Sequence, residues 1–172
     1  MKFQFTDPAT HFSDGLAVIK IYHQTLLEKG EVLLALMDDM KDQTMNKSLA
    51  NRCIDLHCFY FHANRLHHLD EEEALFPLLK NHSEFYDGMM DLLTQDHEEI
   101  EYEWQVLAEN LGNPEQISDY SALQKNALEF ERKQREHLNR EEEDFLPRVA
   151  DLLSSAEKEQ AGKKMAALRH LG

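Results

Sequence analysis

One short pattern occurs twice in this chain, and each copy ends at a proline. The first copy runs from His67 to Pro77 and the second from His137 to Pro147. In both copies a glutamate follows the histidine by four residues and the proline follows it by ten. Residues four apart lie on one face of an α-helix, about one turn from each other. The repeat therefore predicts two helices that each direct an imidazole and a carboxylate at a shared site.

The spacing of apolar residues predicts that the rest of the chain is also helical. Only 4 Pro and 6 Gly occur in 172 residues, which favours long helices over a sheet with many turns. Apolar residues recur at alternating steps of three and four, the period of a helix with one buried face. Short connections between such helices predict antiparallel neighbours. We expect one all-α domain over residues 1–172, an up-down-up-down four-helix bundle with a short additional C-terminal helix.

The expected helices cover about 13–40, 44–79, 84–111, 115–153 and 154–171. Ser154 and Glu157 have the spacing of a capping box, in which each side chain accepts a backbone N–H at the start of a helix. This pair predicts where the last helix begins.

The charge of the chain excludes some partners. A formal net charge of −15 repels phosphate, which argues against nucleic acid and an anionic membrane surface as partners. No apolar run is long enough to span a bilayer, and we see no signal peptide at the N-terminus. Cys53 and Cys58 are too few and wrongly spaced for a cysteine metal site, and reduced thiols fit a cytoplasmic protein. The sequence allows a homo-oligomer without indicating its size.

Two further histidines lie on the apolar faces of the first and third predicted helices, His23 and His97. A single histidine on such a face is usually a satisfied core residue, but here four helices each place one inward. Burying four imidazoles and two carboxylates without a metal ion would cost several kcal/mol per uncompensated charge. Imidazole binds iron, zinc and copper, and a carboxylate can bridge two cations. The predicted metal ligands are His23, His67, Glu71, His97, His137 and Glu141.

Two alternatives stay open at this point. The neighbouring pair His68 and Glu72 has the same spacing as His67 and Glu71, but its helix face carries more polar residues. Glu101 lies one turn after His97 and could be an extra ligand. The ligand types also leave open whether iron, zinc or manganese fills the site. Glu-x-x-His, the spacing of ferritin-like di-iron bundles, does not occur in the sequence.

At these residues the sequence resembles the hemerythrin-like (HHE cation-binding) family, over nearly its whole length. The resemblance rests on the segments around Asp7-Pro8, Tyr22-His23, His67 to Pro77, Asp96-His97 with Trp104, and His137 to Pro147. It implies two Fe ions per chain with an oxo or hydroxo bridge. It also implies that Glu71 and Glu141 bridge the ions, that His23 and His67 bind one, and that His97 and His137 bind the other.

The resemblance further implies a non-haem di-iron protein that binds, senses or responds to a small ligand, namely oxygen, nitric oxide or peroxide. Oxygen-carrying members have a His-x-x-x-His pair in the third helix, whereas in this chain Leu93 lies four residues before His97 and Glu101 four residues after it. The pattern of four histidines and two glutamates is closer to that of bacterial members linked to oxidative and nitrosative stress and to iron handling. The alternative functions are iron storage, iron-centre repair, and a helical interaction module with a structural metal.

Overall fold

The computed structural model describes residues 3–170, and every regular element in that range is helical. This confirms the all-α class predicted from the sequence; Met1 and Leu171, at the ends of the predicted domain and last helix, lie outside the described residues. The α-helices are α1 (Gly15–Met40), α2 (Lys47–Leu69), α3 (Phe76–Leu79), α4 (Glu84–Gly112), α5 (Tyr120–Arg140), α6 (Leu146–Leu152) and α7 (Ser155–Leu168).

Side chains fix several of the helix starts. The Asp14 carboxylate accepts the backbone N–H of Leu16 at the start of α1. Ser154 and Glu157 form the predicted capping box at the start of α7. The expected start of the fourth long helix at about residue 115 was wrong. Residues Pro114–Gln116 form a separate 3₁₀ turn, and α5 begins only after Asp119, whose side chain accepts the N–H of Ala122.

Two π-helical segments, Asp70–Leu75 and Glu141–Phe145, join α2 to α3 and α5 to α6. A proline follows each segment, and proline lacks the N–H that would bond to the carbonyl four residues earlier, with which its ring also clashes. The backbone widens by one residue instead, so that the N–H of Phe76 donates to the carbonyl of Glu71, five residues back. The N–H of Leu146 donates to Glu141 in the same way. Each proline is therefore preceded by a π turn that begins at or beside a predicted ligand.

The long helices surround one core. Helix α1 packs against α2 and α5, and α4 packs against the same two helices, so the contacts of the four long helices close into a ring. Helix α7 lies against α1 and against the first π segment. Within residues 3–170, no helix is both long and apolar enough to cross a membrane. The largest fully buried side chains include Tyr22, Tyr60, Phe130, Phe145, Leu33 and Leu93.

Candidate metal centre

Six buried polar side chains converge between the four long helices and the two π segments. They form two overlapping groups in which one ligand atom from each residue lies within 4.8 Å of the others. The two glutamates belong to both groups, and each group has its own pair of histidines. The structure thus brings together every residue of the predicted site, whose role as ligands stays a prediction. The first group is His23, His67, Glu71 and Glu141, and the second is Glu71, His97, His137 and Glu141.

Each glutamate turns its two oxygens toward histidines of different groups. Glu141 Oε1 lies 2.6 Å from His137 Nε2, and Glu141 Oε2 lies 2.7 Å from His23 Nε2. Glu71 Oε2 lies 2.8 Å from His97 Nε2, and Glu71 Oε1 lies 3.3 Å from His67 Nε2. A carboxylate placed in this way can bridge two cations.

The atoms that face the centre have no hydrogen-bond partner outside it. The Nε2 atoms of all four histidines and all four oxygens of the two glutamates are buried, and their close contacts, such as those at 2.6–2.8 Å, are with one another. Buried polar atoms are normally hydrogen-bonded, since leaving one unsatisfied costs about 1–3 kcal/mol. Nitrogen and oxygen atoms that point inward and contact only one another fit a metal site, and this set fits iron, zinc or manganese.

The two histidines that lie outside the repeated pattern, His23 and His97, are each oriented by a carboxylate from within it. Nδ1 of His23 lies 2.6 Å from Glu142, and Nδ1 of His97 lies 2.6 Å from Glu72. An acceptor at Nδ1 fixes the tautomer that leaves Nε2 free for a metal and makes the imidazole a stronger donor. We did not expect this role for Glu72 or Glu142 from the sequence. The available signal was that a second glutamate directly follows the first in both copies of the pattern.

The other two histidines differ from each other. Nδ1 of His137 lies 3.1 Å from a carboxylate oxygen of Asp96, which also pairs with Arg140. Nδ1 of His67 has no hydrogen-bond partner among the described residues. Instead, the ring of Tyr22 stacks on His67, with centroids 5.8 Å apart and an interplanar angle of 8°. The two copies of the repeated pattern therefore supply the same ligand types, but His137 is supported by a carboxylate at Nδ1 and His67 by a stacked tyrosine ring.

These surroundings separate the pKa values of the histidines in the metal-free protein. Burial alone would lower the pKa of His97, but the carboxylates of Glu71 and Glu72 raise it to about 9. Burial likewise opposes the charge of His137, while Glu141 and Asp96 raise its pKa to about 10. For His67, burial outweighs Glu71 and lowers the pKa to about 4. Without metal, the glutamates of the centre are thus neutralised by protonated histidines.

The structure distinguishes the two candidate ligand pairs, His67 with Glu71 and His68 with Glu72. His68 lies outside both groups, with its ring stacked on His97 at a centroid distance of 3.9 Å. Glu72 contacts Nδ1 of His97 from outside the centre. Glu101, the possible extra ligand, is exposed and belongs to neither group.

Replacing His67 with alanine is expected to remove bound metal, whereas His68→Ala is expected to retain it. His67 supplies one of the two imidazoles of the first group, and no other histidine replaces it there. Metal content after gel filtration and the melting temperature in the presence of metal measure the difference. Loss of metal from His68→Ala with retention in His67→Ala would instead support the His68 and Glu72 register.

Comparison with known proteins agrees with this geometry. The model of the hemerythrin HHE cation-binding domain matches residues 14–149, well over half of the 172 residues. The matched range contains all six residues of the centre and ends in α6, before α7 begins. A search of curated proteins finds no match.

Proposed function

Because the chain belongs to the hemerythrin HHE cation-binding family, we propose that it is a non-haem di-iron protein that binds or senses oxygen, nitric oxide or peroxide. The observation that carries the proposal is the pair of four-residue groups that share two carboxylates. His23 and His67 would hold one iron, His97 and His137 the other, and Glu71 and Glu141 would contact both. The up-down-up-down order of the long helices and a single domain remain part of this proposal, supported by the closed ring of helix contacts.

One side of the centre favours a small exogenous ligand. Leu93 is fully buried one turn before His97, so an apolar side chain stands where a third imidazole could otherwise reach the same metal. A metal site that binds ligands keeps a coordination position open. Leu93, with buried Ile100 and Trp104 on the same helix, gives His97 apolar neighbours along α4.

A cavity of about 580 Å³ between α2 and α4 reaches His97, and its α4 wall extends from His97 toward Gln105, on the side away from Leu93. His97 and His68 lie in its wall, together with Tyr60 and Trp104. The cavity is wide enough for a diatomic ligand or peroxide to approach the ring of His97. When bound, iron would supply the reversible one-electron chemistry that such ligands require. The protein would orient the imidazoles through Glu72, Glu142 and Asp96 and keep the inner face dry.

The first test of the proposal is metal content after expression with iron. The two groups predict two ions per chain, about 3.5–4 Å apart as in other two-metal sites. Metal analysis counts the ions, and absorption spectra of the aerobically purified protein distinguish a bridged ferric pair from zinc. A single tightly bound ion, or none, would reject the dinuclear centre. Two zinc or manganese ions without reaction would favour a structural metal, and iron that accumulates beyond two per chain would favour storage.

A second test examines the open position. Leu93→His is expected to suppress the reaction of the reduced protein with oxygen or nitric oxide, because an added imidazole would occupy the metal held by His97 and His137. Leu93→Met is the control, since it keeps an apolar side chain of similar volume. Stopped-flow absorbance after mixing with either gas measures the rate. An unchanged rate in Leu93→His would argue that ligands do not bind on this side.

A further inference from the structure

The C-terminal end of the described chain reaches the centre through one arginine. Arg169, directly after α7, forms a bidentate ion pair with Asp70, at 2.5 Å for Nη1–Oδ1 and 2.8 Å for Nη2–Oδ2. The Asp70 carboxylate is fully buried, so its charge depends on this partner. Asp70 begins the first π segment and immediately precedes Glu71. The residue that follows α7 therefore holds the backbone next to Glu71, the glutamate that belongs to both groups.

Arg169 also reaches the centre by a second path. Its Nε donates to Asp7 Oδ2 at 2.9 Å, and Asp7 Oδ1 accepts the hydroxyl of Tyr22 at 2.7 Å. The ring of Tyr22 stacks on His67, with 5.8 Å between centroids. The Arg169 guanidinium lies 5.6 Å from the centre of the same Tyr22 ring. One side chain thus joins the N-terminal segment, α1 and α7 around a single ligand histidine.

His67 is the ligand that needs such support. His23, His97 and His137 each have a carboxylate at Nδ1, whereas Nδ1 of His67 has no hydrogen-bond partner among residues 3–170. Its ring is held by burial and by the Tyr22 stack, and Tyr22 is held by Asp7. A carboxylate at Nδ1 normally provides this orientation. Here the Arg169 network takes its place.

We propose that Arg169 is a positioning residue for the half of the centre formed by His23 and His67, although it lies outside the matched family domain. It sets the direction of Glu71 through Asp70 and the plane of His67 through Asp7 and Tyr22. The half formed by His97 and His137 shares Glu71 with this network, but each of its imidazoles has its own carboxylate at Nδ1, Glu72 for His97 and Asp96 for His137. Loss of Arg169 should therefore weaken the ion beside His67 more than the ion beside His97 and His137, because only the first ion loses an imidazole support as well as the support of Glu71. This inference rests on the proposed two-metal function.

The experiment follows metal release from full-length protein loaded with Co²⁺, after addition of excess chelator. Wild type is compared with Arg169→Ala, Arg169→Lys and the control Arg132→Ala. Arg132 also pairs with two carboxylates, Glu129 and Glu136, but on the exposed face of α5. Removing a residue that orients a metal ligand typically weakens metal binding about 10–100-fold. We expect Arg169→Ala to release one of the two ions about 10–100-fold faster and to accelerate the release of the other by a clearly smaller factor.

A second variant separates positioning from folding. Arg169→Ala leaves the buried Asp70 carboxylate without its ion-pair partner, whereas the double variant Asp70→Asn/Arg169→Ala removes that charge as well. We expect the double variant to keep the fast release of one ion, Arg169→Lys to restore part of the wild-type rate, and Arg132→Ala to behave as wild type. The cobalt absorption bands should change more for the ion that is released faster than for the other.

The outcomes distinguish the inference from the proposed function. Release of both ions at wild-type rates, or of both faster by the same factor, would overturn the positioning role and leave the two-metal centre intact. A wild-type chain that holds fewer than two Co²⁺ ions would overturn the two-metal function and the inference with it.

Discussion

Glu141→Ala is expected to abolish the binding of both metal ions, rather than of one. Glu141 belongs to both four-residue groups, and its two oxygens face His137 and His23 at 2.6 and 2.7 Å. The metal-free protein should also be less stable by about 3–5 kcal/mol, because protonated His23 and His137 lose the buried carboxylate that neutralises them. Metal analysis and urea unfolding of the metal-free form measure the two effects.

The matched control for this substitution is Glu143→Ala. Glu143 lies two residues further along the same π segment, is exposed and makes no contact with the centre. It should retain both ions and unfold at close to the wild-type urea concentration, since exposed substitutions usually change stability by less than about 0.5 kcal/mol. If Glu141→Ala kept one ion at wild-type affinity, Glu141 would be a terminal ligand of the other ion and not a bridge.

Gly162→Ala is expected to destabilise the protein by about 3 kcal/mol, at the upper end for an overpacked core position. A Cβ atom at Gly162 would lie 2.2 Å from the backbone carbonyl oxygen of Phe12, which cannot move aside as a flexible side chain can. Helix α7 would have to shift, although alanine is the better helix former in an isolated helix. Thermal unfolding of the metal-free protein measures the loss.

Gly88→Ala provides the opposite result at a second helical glycine. A Cβ at Gly88, on α4, would meet nothing within 4 Å. The substitution should stabilise the protein by about 0.4–1 kcal/mol, because it lowers the conformational freedom of the unfolded chain. Equal effects at Gly88 and Gly162 would show that α7 does not pack tightly against the segment that contains Phe12.

The residues of the centre could be found in the sequence because their spacing is local. His67 and Glu71 are one helical turn apart, and the same spacing at His137 repeats the signal. His97 could be recognised as a polar residue on an otherwise apolar helix face, which requires only the helical period. The helical pattern alone could not identify the carboxylates that contact Nδ1 of the histidines, Glu72 and Glu142. Glu72 is one of three consecutive glutamates and acts on a residue of another helix.

Contacts between residues far apart in the sequence could not be predicted, because the helical period relates only residues on the same helix. Arg169 and Asp70 are 99 residues apart, and no pattern in the sequence links an arginine after the last helix to a buried aspartate. The two π segments were also not predicted, although each copy of the repeated pattern ends at a proline. Whether a proline bends, ends or widens a helix depends on what packs around it, and here the widened turn carries Glu71 inward.

The unequal surroundings of the histidines make metal uptake a proton exchange that differs between the two halves. At neutral pH in the metal-free protein, His97 and His137 are protonated, since their pKa values are raised to about 9 and about 10. His23 is protonated too, because the charge of Glu141 outweighs burial and raises its pKa, whereas His67 is already neutral with its pKa lowered to about 4. In the proposed two-metal centre, an ion entering beside His97 and His137 would therefore displace two protons, and an ion beside His23 and His67 only one. Acidification would compete more steeply with the first of these positions than with the second, so the two positions would empty unevenly as the pH falls.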